Sequence, residues 1–394
     1  MFSLKPHQRV YGIFFVFALS MGALLSRLPD LQRSLQLTEG QLGLTLIAMS
    51  IGALCGLTFS SPLIEKYGAR TTAFVTVFGA STMYAIVPWI PSAILLLPVF
   101  FIAGLFAGAL EINVNLETDR HEAQLGTRIM SRAHGMWSLG FFVTAFISAG
   151  VRQAGVSVHL HTFIALVVVV IAGFFVFSKI ENAPARADSH DGKMPLVAFP
   201  TIGLLPLCLI GAAPLLVEGA GIDWSAIYMR DVFDVAPFIG GLSITIFSLF
   251  MALARLFMDP VVERYSPRVV AGTLLGIAAV GLVIVGLAPH PYVALFGFLL
   301  MGLGCSSVYP LAVSAAAQRT DRPASVNVAS LGQMTFVVFF LGPPLLGFIA
   351  EAFGIRTSYF VVVPLVIAAL LAIRALAARP TPVLSEPEPA TPHG

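Results

Sequence analysis

Five side chains could bind or move charge inside otherwise apolar stretches: Glu111, Asn115 and His134 in the first half of the chain, and Glu218 and Asp223 in the second. Glu111 follows Phe100 to Ala109, a run with no charge. At the centre of a bilayer a carboxylate costs about 2.5 to 3.5 kcal/mol on insertion scales, so it must face a cavity or a partner. Glu111 and Asn115 are four residues apart and share one helix face, while Asn113 points roughly opposite. Counted from the loop between them, Glu111 and His134 each lie about seven residues, roughly 10 Å, inside the membrane. An imidazole level with a buried carboxylate is a proton store, because His titrates near neutrality. Glu111 and His134 are therefore the proton-coupling candidates, with Arg132 as an alternative counter-charge. Plain helix packing is the competing role for both. Glu218 and Asp223 flank Gly219 and Gly221, and glycine lets a spanning helix unwind where it borders a cavity. Trp224 would add a face for stacking or cation–π contact. Asp223 has a second role open to it, pairing with Arg27 as an outer gate or anchor.

These residues need helices to hold them. Of the 394 residues, 57% are hydrophobic and 11% charged, with a mean hydropathy of +0.91, so this is a membrane protein and not a soluble domain. The apolar residues come in blocks of about 20, the length of a spanning helix, and not in the alternating pattern of a β-barrel. Twelve spans are predicted: 9–28, 40–64, 71–90, 93–117, 128–152, 159–178, 199–226, 237–261, 268–288, 291–316, 326–352 and 357–377. An even number puts both termini on one side. About seventeen of the 22 Lys and Arg residues lie with the termini and the even-to-odd loops, which makes that side cytoplasmic. Net charge is +2 without a basic patch, which excludes a nucleic-acid binder. Cys55, Cys208 and Cys305 show neither disulfide nor metal-site spacing.

A polar linker, 179–198, divides the chain into bundles at 1–178 and 199–378, and a Pro-rich tail, 379–394, is expected to be disordered. The halves repeat. Ser61 to Arg70 after the second span and Asp259 to Arg268 after the eighth share Pro, Glu, Tyr and Arg at an offset of 198 residues. Thr118-Asp119-Arg120 and Thr320-Asp321-Arg322 recur in the same way after spans four and ten. Two parallel six-helix repeats with a site between them near the midplane form a known transporter plan.

The two loops resemble the G-x-L-a-D-r-x-G-r-k loop of the major facilitator superfamily, with Ser61 for the first Gly, Glu65 for the Asp, and Gly68 and Arg70 retained. The second copy departs from it at Ser266 and Pro267. The resemblance implies an all-α polytopic fold of twelve helices in two pseudo-symmetric bundles. It also implies gating roles for Glu65, Arg70, Glu263 and Arg268, to which Arg27 is added from its position at the outer end of span one. Leu110-Glu111-x-x-x-Asn115 and Ser306-x-x-Tyr309-Pro310 resemble motifs of the fucose:proton symporter group, in which the acid takes part in proton coupling and sugar binding. That group also uses an acid in the first helix, where Ser20, Gly22 and Ser26 stand here. Glu218-Gly-Ala-x-x-Asp223-Trp224-Ser225 together with Ser131-Arg-x-His134-Gly-x-Trp137-Ser-Leu-Gly140 resembles a narrower branch of proposed rhizopine (amino-inositol) transporters. These resemblances imply Asn115, Trp137, Glu218, Asp223, Trp224 and Tyr309 as substrate ligands. Gln333 joins them as a polar residue of span eleven.

The expected function is secondary active transport, a proton-coupled symport of a sugar, polyol or amino-inositol, by a monomer in a bacterial inner membrane. No cofactor is expected. There is no Walker loop, so the proton gradient is the energy source. Two alternatives stay open. One is proton antiport, although span five carries Trp137-Ser138-Leu139-Gly140 and not the antiporter signature; the other is a transporter-fold receptor. No nucleophile with a base or metal set points to an enzyme.

Overall fold

The computed structural model describes residues 4–126, 129–180 and 198–377. Most of the expected linker and the tail lie outside the described residues. In the first half, α1 (Pro6–Leu25) leads into a short α2 (Leu28–Leu35), followed by α3 (Glu39–Phe59), α4 (Ser61–Ile86), α5 (Ala93–Leu125), α6 (Met130–Gln153) and α7 (Val158–Phe177). The second half has α8 (Leu205–Asp223), α9 (Ser225–Phe233), α10 (Pro237–Phe257), α11 (Asp259–Tyr265), α12 (Pro267–Leu287), α13 (Pro291–Cys305), α14 (Val308–Ala317), α15 (Ala324–Phe353) and α16 (Ile355–Leu371). Eleven of the resulting spans are long and apolar enough to cross a bilayer, and α16 is the shorter twelfth.

Local chemistry sets the helix starts. Thr38 and Gln41 form a reciprocal capping box at α3, and Pro6, Pro206, Pro237, Pro267 and Pro291 open their helices where a missing N–H costs nothing. Three spans are broken and not straight: at Ser26–Arg27 between α1 and α2, at Trp224 between α8 and α9, and at Ser306–Ser307 between α13 and α14. The break in the seventh span falls after Asp223, so Gly219 and Gly221 remain helical, contrary to the unwinding expected between the two acids.

The two loop repeats bend alike. Gly68 has φ 77° and ψ 164°, and Ser266, 198 residues later, has φ 100° and ψ 148°. In the second repeat a serine holds a backbone that favours glycine. Glycine also lets α3 and α5 touch backbone to backbone, since a Cβ at Gly104 would lie 1.9 Å from the Met49 carbonyl oxygen.

Call the face from which α1 starts the N-terminal face. The halves meet at the opposite face, where α3 lies on α15 and α2 on α9. There Arg230 Nη2 donates to Gln32 Oε1 (2.8 Å), and the Gly40 N–H donates to Glu351 Oε2 (3.1 Å). A further seam joins α6 to α10 along its whole length. It runs from Gly241 against Ala149 and the Phe238 N–H on Gln153 Oε1 (3.1 Å) to Gly135 against Leu256. Among the described residues α5 and α14 do not pack closely on each other.

Candidate functional site

The polar groups of α5 divide by helix face. Asn113 is fully buried and its Nδ2 donates to the Ala69 carbonyl of α4 (3.1 Å), which leaves Glu111 and Asn115 on the face toward α6. Asn115 Nδ2 donates to Glu111 Oε1 (2.8 Å), and Asn115 Oδ1 lies 3.2 Å from His134 Nε2. Glu111 and His134 are thus linked through the amide of Asn115, and no hydrogen bond joins them directly. A hydrogen bond to Oδ1 needs an Nε2–H tautomer or the imidazolium. The His134 ring packs on Phe14 of α1, with centroids 4.9 Å apart. Arg132 is exposed and is not part of this chain of contacts.

One turn along α6, Ser138 receives a bond from the other half: Arg255 Nη1 donates to its Oγ at 2.9 Å. Arg255 comes from α10. Its Nη2 pairs with Glu218 Oε2 (3.0 Å), and its Nε donates to the Ser306 carbonyl (3.0 Å), one of the carbonyls freed at the break between α13 and α14. Arg255 and Glu218 are each only 13% exposed. Arg255 was missed in the sequence because it ends an apolar span and counts there as one more residue of the basic side. The signal was present, since an arginine within span eight carries the same desolvation cost as Glu111.

Several other candidates sit elsewhere. Trp224 is 1% exposed, packed against Gly347 at the closed face, so its ring is not a wall of the interior in this conformation. Asp223 is half-buried and makes no hydrogen bond to a described residue; Arg27 is not its partner. Arg27 pairs with Asp30, which also receives Arg152 (2.9 Å), and Arg27 donates to the Val156 carbonyl (2.8 Å). All these partners belong to the first half, so Arg27 braces that half and does not bridge to the second. Gln333 accepts from the Ala198 N–H (2.8 Å), which holds the chain entering the second half.

Tyr309 on α14 is partly buried within reach of the Thr335 hydroxyl, and Trp137 stacks toward Phe141 at 5.3 Å. Glu65 and Arg70 are exposed at the N-terminal face. Arg268 donates to the Leu376 and Arg374 carbonyls (3.0 and 2.8 Å), tying α12 to the end of α16 and not to the other half. The Glu263 side chain lies outside the described residues.

A helical membrane protein with a repeated six-span plan and a polar interior sealed at one face has the build of a transporter. The family model described as Major Facilitator Superfamily matches residues 10–219 and 207–393, and the chain belongs to that superfamily. An uncharacterised transporter of Sinorhizobium fredii is 29% identical over 362 residues, covering 91% of this chain and 95% of that one. Membrane protein MosC of Rhizobium meliloti is 24% identical over 363 residues, or 91% and 88% of the two chains. Among solved structures, the nucleoside transporter NupG has a TM-score of 0.71 at 14% identity, covering 94% of this chain and 99% of its own. The E. coli fucose:proton symporter FucP has a TM-score of 0.65 at 16% identity, covering 94% and 98%. The protein is a transporter and not an enzyme.

Proposed function

We propose that this chain is a proton-coupled symporter of a small, neutral, hydroxyl-rich metabolite, with Glu111 as the proton site. The observation that supports this most is the contrast between Glu218 and Glu111. Glu218 has a bonded cation in Arg255, whereas Glu111 has only the Asn115 amide. With Glu218 matched by Arg255, Glu111 is left as an uncompensated carboxylate level with His134, and a single proton neutralises it. Asn115 and His134 give that proton a hydrogen-bonded route toward α6. The same bookkeeping favours a neutral sugar or polyol over an amine, because Glu218 is already matched.

The N-terminal face is cytoplasmic on the distribution of basic residues, which puts the contacts between the halves on the outer side of a bacterial inner membrane. One proton moving across about 150 mV yields roughly 3.5 kcal/mol, enough for about 300-fold accumulation of a neutral solute.

The test uses purified protein in proteoliposomes with candidate polyols and sugars chosen by a thermal-shift screen. Glu111→Gln is expected to abolish accumulation driven by an imposed proton gradient while leaving substrate exchange at equal concentrations intact. Full gradient-driven uptake by that variant would refute the role given to Glu111. Solute moving out as protons move in would indicate antiport.

A further inference from the structure

A second charge cluster lies in the first half, at the bend between α1 and α2, and has no part in the transport scheme above. Asp30 receives Arg27 on one carboxylate oxygen and Arg152 of α6 on the other (2.9 Å). Arg27 Nη2 donates to the Val156 carbonyl (2.8 Å) in the turn between α6 and α7. Two buried cations thus share one carboxylate, the Arg27 side chain being 4% exposed and that of Arg152 8%. Arg33 stands exposed at the rim, and the charges acting on Arg152 are Asp30, Arg27 and Arg33. The cluster carries a surplus of positive charge.

It also has donors to spare. Arg27 Nη1 is buried and meets no acceptor among the described residues, although it carries two of the five guanidinium N–H groups. His161 of α7 is a buried neighbour on which both Arg27 and Asp30 act electrostatically. Its Nε2 lies 3.4 Å from Oγ of Ser148, one turn before Arg152 on α6, and Ser148 makes no other side-chain bond among the described residues. The hydroxyl therefore donates to Nε2. That assignment puts the ring hydrogen on Nδ1, which is likewise buried without a partner among the described residues. Ser26 Oγ, in the same bend, is a third such atom. Buried donors without an acceptor are costly, and an unmatched buried charge more so.

We propose that Arg27 Nη1 and His161 Nδ1 bind a small monovalent anion of halide size, held between α1, α6 and α7 at the face opposite the N terminus. One negative charge matches a buried surplus of one, which a divalent sulfate or phosphate would overshoot. Nothing in this site depends on Glu111. The anion braces the bend that leads into α2, whose Pro29 and Gln32 receive Arg230 from the other half.

The experiment uses the full chain in detergent with halide as the probe. At constant ionic strength, replacing gluconate by chloride should raise the thermal unfolding midpoint along a saturable curve, and bromide should act alike. Crystals grown in bromide should show its anomalous scattering beside Arg27 Nη1 and His161 Nδ1, a measurement that needs no variant. Asp30→Asn removes the competing carboxylate, so the half-saturating chloride concentration should fall by on the order of tenfold. His161→Phe keeps every charge and removes the Nδ1 donor, and should raise that concentration by on the order of tenfold. A purely structural ion pair predicts instead that Asp30→Asn lowers the midpoint equally in both salts. Equal midpoints in chloride and gluconate, or bromide bound only elsewhere, overturn the proposal, because water then satisfies these donors. Chloride stabilisation that neither variant alters overturns it as well, because the ion then acts at another place.

Discussion

Glu218 and Arg255 stand 3.0 Å apart with 13% of each side chain exposed, so removing either one alone leaves a buried, uncompensated charge. At the residue scale this separates Glu218, which has a cation, from Glu111 and Asp223, which have none bonded among the described residues. That Glu111 and His134 stand level was legible from helical rise alone, and so was the shared face of Glu111 and Asn115. The mediation by Asn115 was not, because the rotation of α6 about its axis leaves no trace in a uniformly apolar span. Trp224 misled for the same reason, since hydropathy tells depth but not which neighbour a ring meets. A prediction outside the membrane belongs here too. Asp321, in the loop after α14, is held well below the usual carboxylate range, first by the hydrogen bond from Arg319, then by those from Asn327 and Thr201. A depressed folded-state value means the contribution is present above the ordinary carboxylate value near 3.9 and is lost only as pH falls further. The difference in melting temperature between the native chain and Asp321→Asn should therefore be constant from neutral pH down to about pH 4 and shrink only below it.

At the scale of elements, span positions were readable because blocks of about 20 apolar residues have one solution in a bilayer. The three helix breaks were less so. Pro29 and Pro310 follow the breaks at Ser26–Arg27 and Ser306–Ser307 and lack the N–H that would bond the carbonyls of Leu25 and Ser306, whereas no proline follows Trp224 and the bend there is set by tertiary contact. The loop repeat is a case where departure from the motif could be read but not priced. Ser266 was visible as the odd residue, and the structure shows that it takes the left-handed backbone of Gly68. Such a conformation costs a non-glycine residue about 1 to 3 kcal/mol. Ser266 Oγ also accepts from the Val269 N–H, but exchanging a serine cap for glycine costs only a few tenths of a kcal/mol. Ser266→Gly should thus stabilise the protein by about 1 kcal/mol, measurable as a raised midpoint in thermal denaturation in detergent.

At the scale of the whole molecule, the described conformation is held shut at the face opposite the N terminus by a few polar contacts. Arg230 supplies two of them, to Gln32 Oε1 and to the Pro29 carbonyl (3.2 Å), both reaching from α9 to α2. Exposed or part-exposed contacts of this kind are worth about 1 kcal/mol each. Arg230→Met should accordingly raise the open population at that face by on the order of tenfold, read as longer distances between spin labels at Gln36→Cys and Asp234→Cys. An unchanged distance distribution would show that the apolar packing of α3 on α15 suffices to hold the closure. The twelve-span plan and its duplication were legible in sequence. Which face is shut was not, because both conformations of such a carrier are compatible with the same hydropathy.

The seam between α6 and α10 behaves like a hinge pin. Two rods in contact at both ends cannot part at either end; they can only roll about the line they share. Ser138 and Arg255 sit on that line and travel least, while Glu111 and Glu351 ride on the swinging leaves. A covalent clasp across the pin, Ala149→Cys with Gly241→Cys, should therefore leave flux nearly intact, whereas the same clasp between Gly43→Cys and Pro343→Cys on the leaves should halt it.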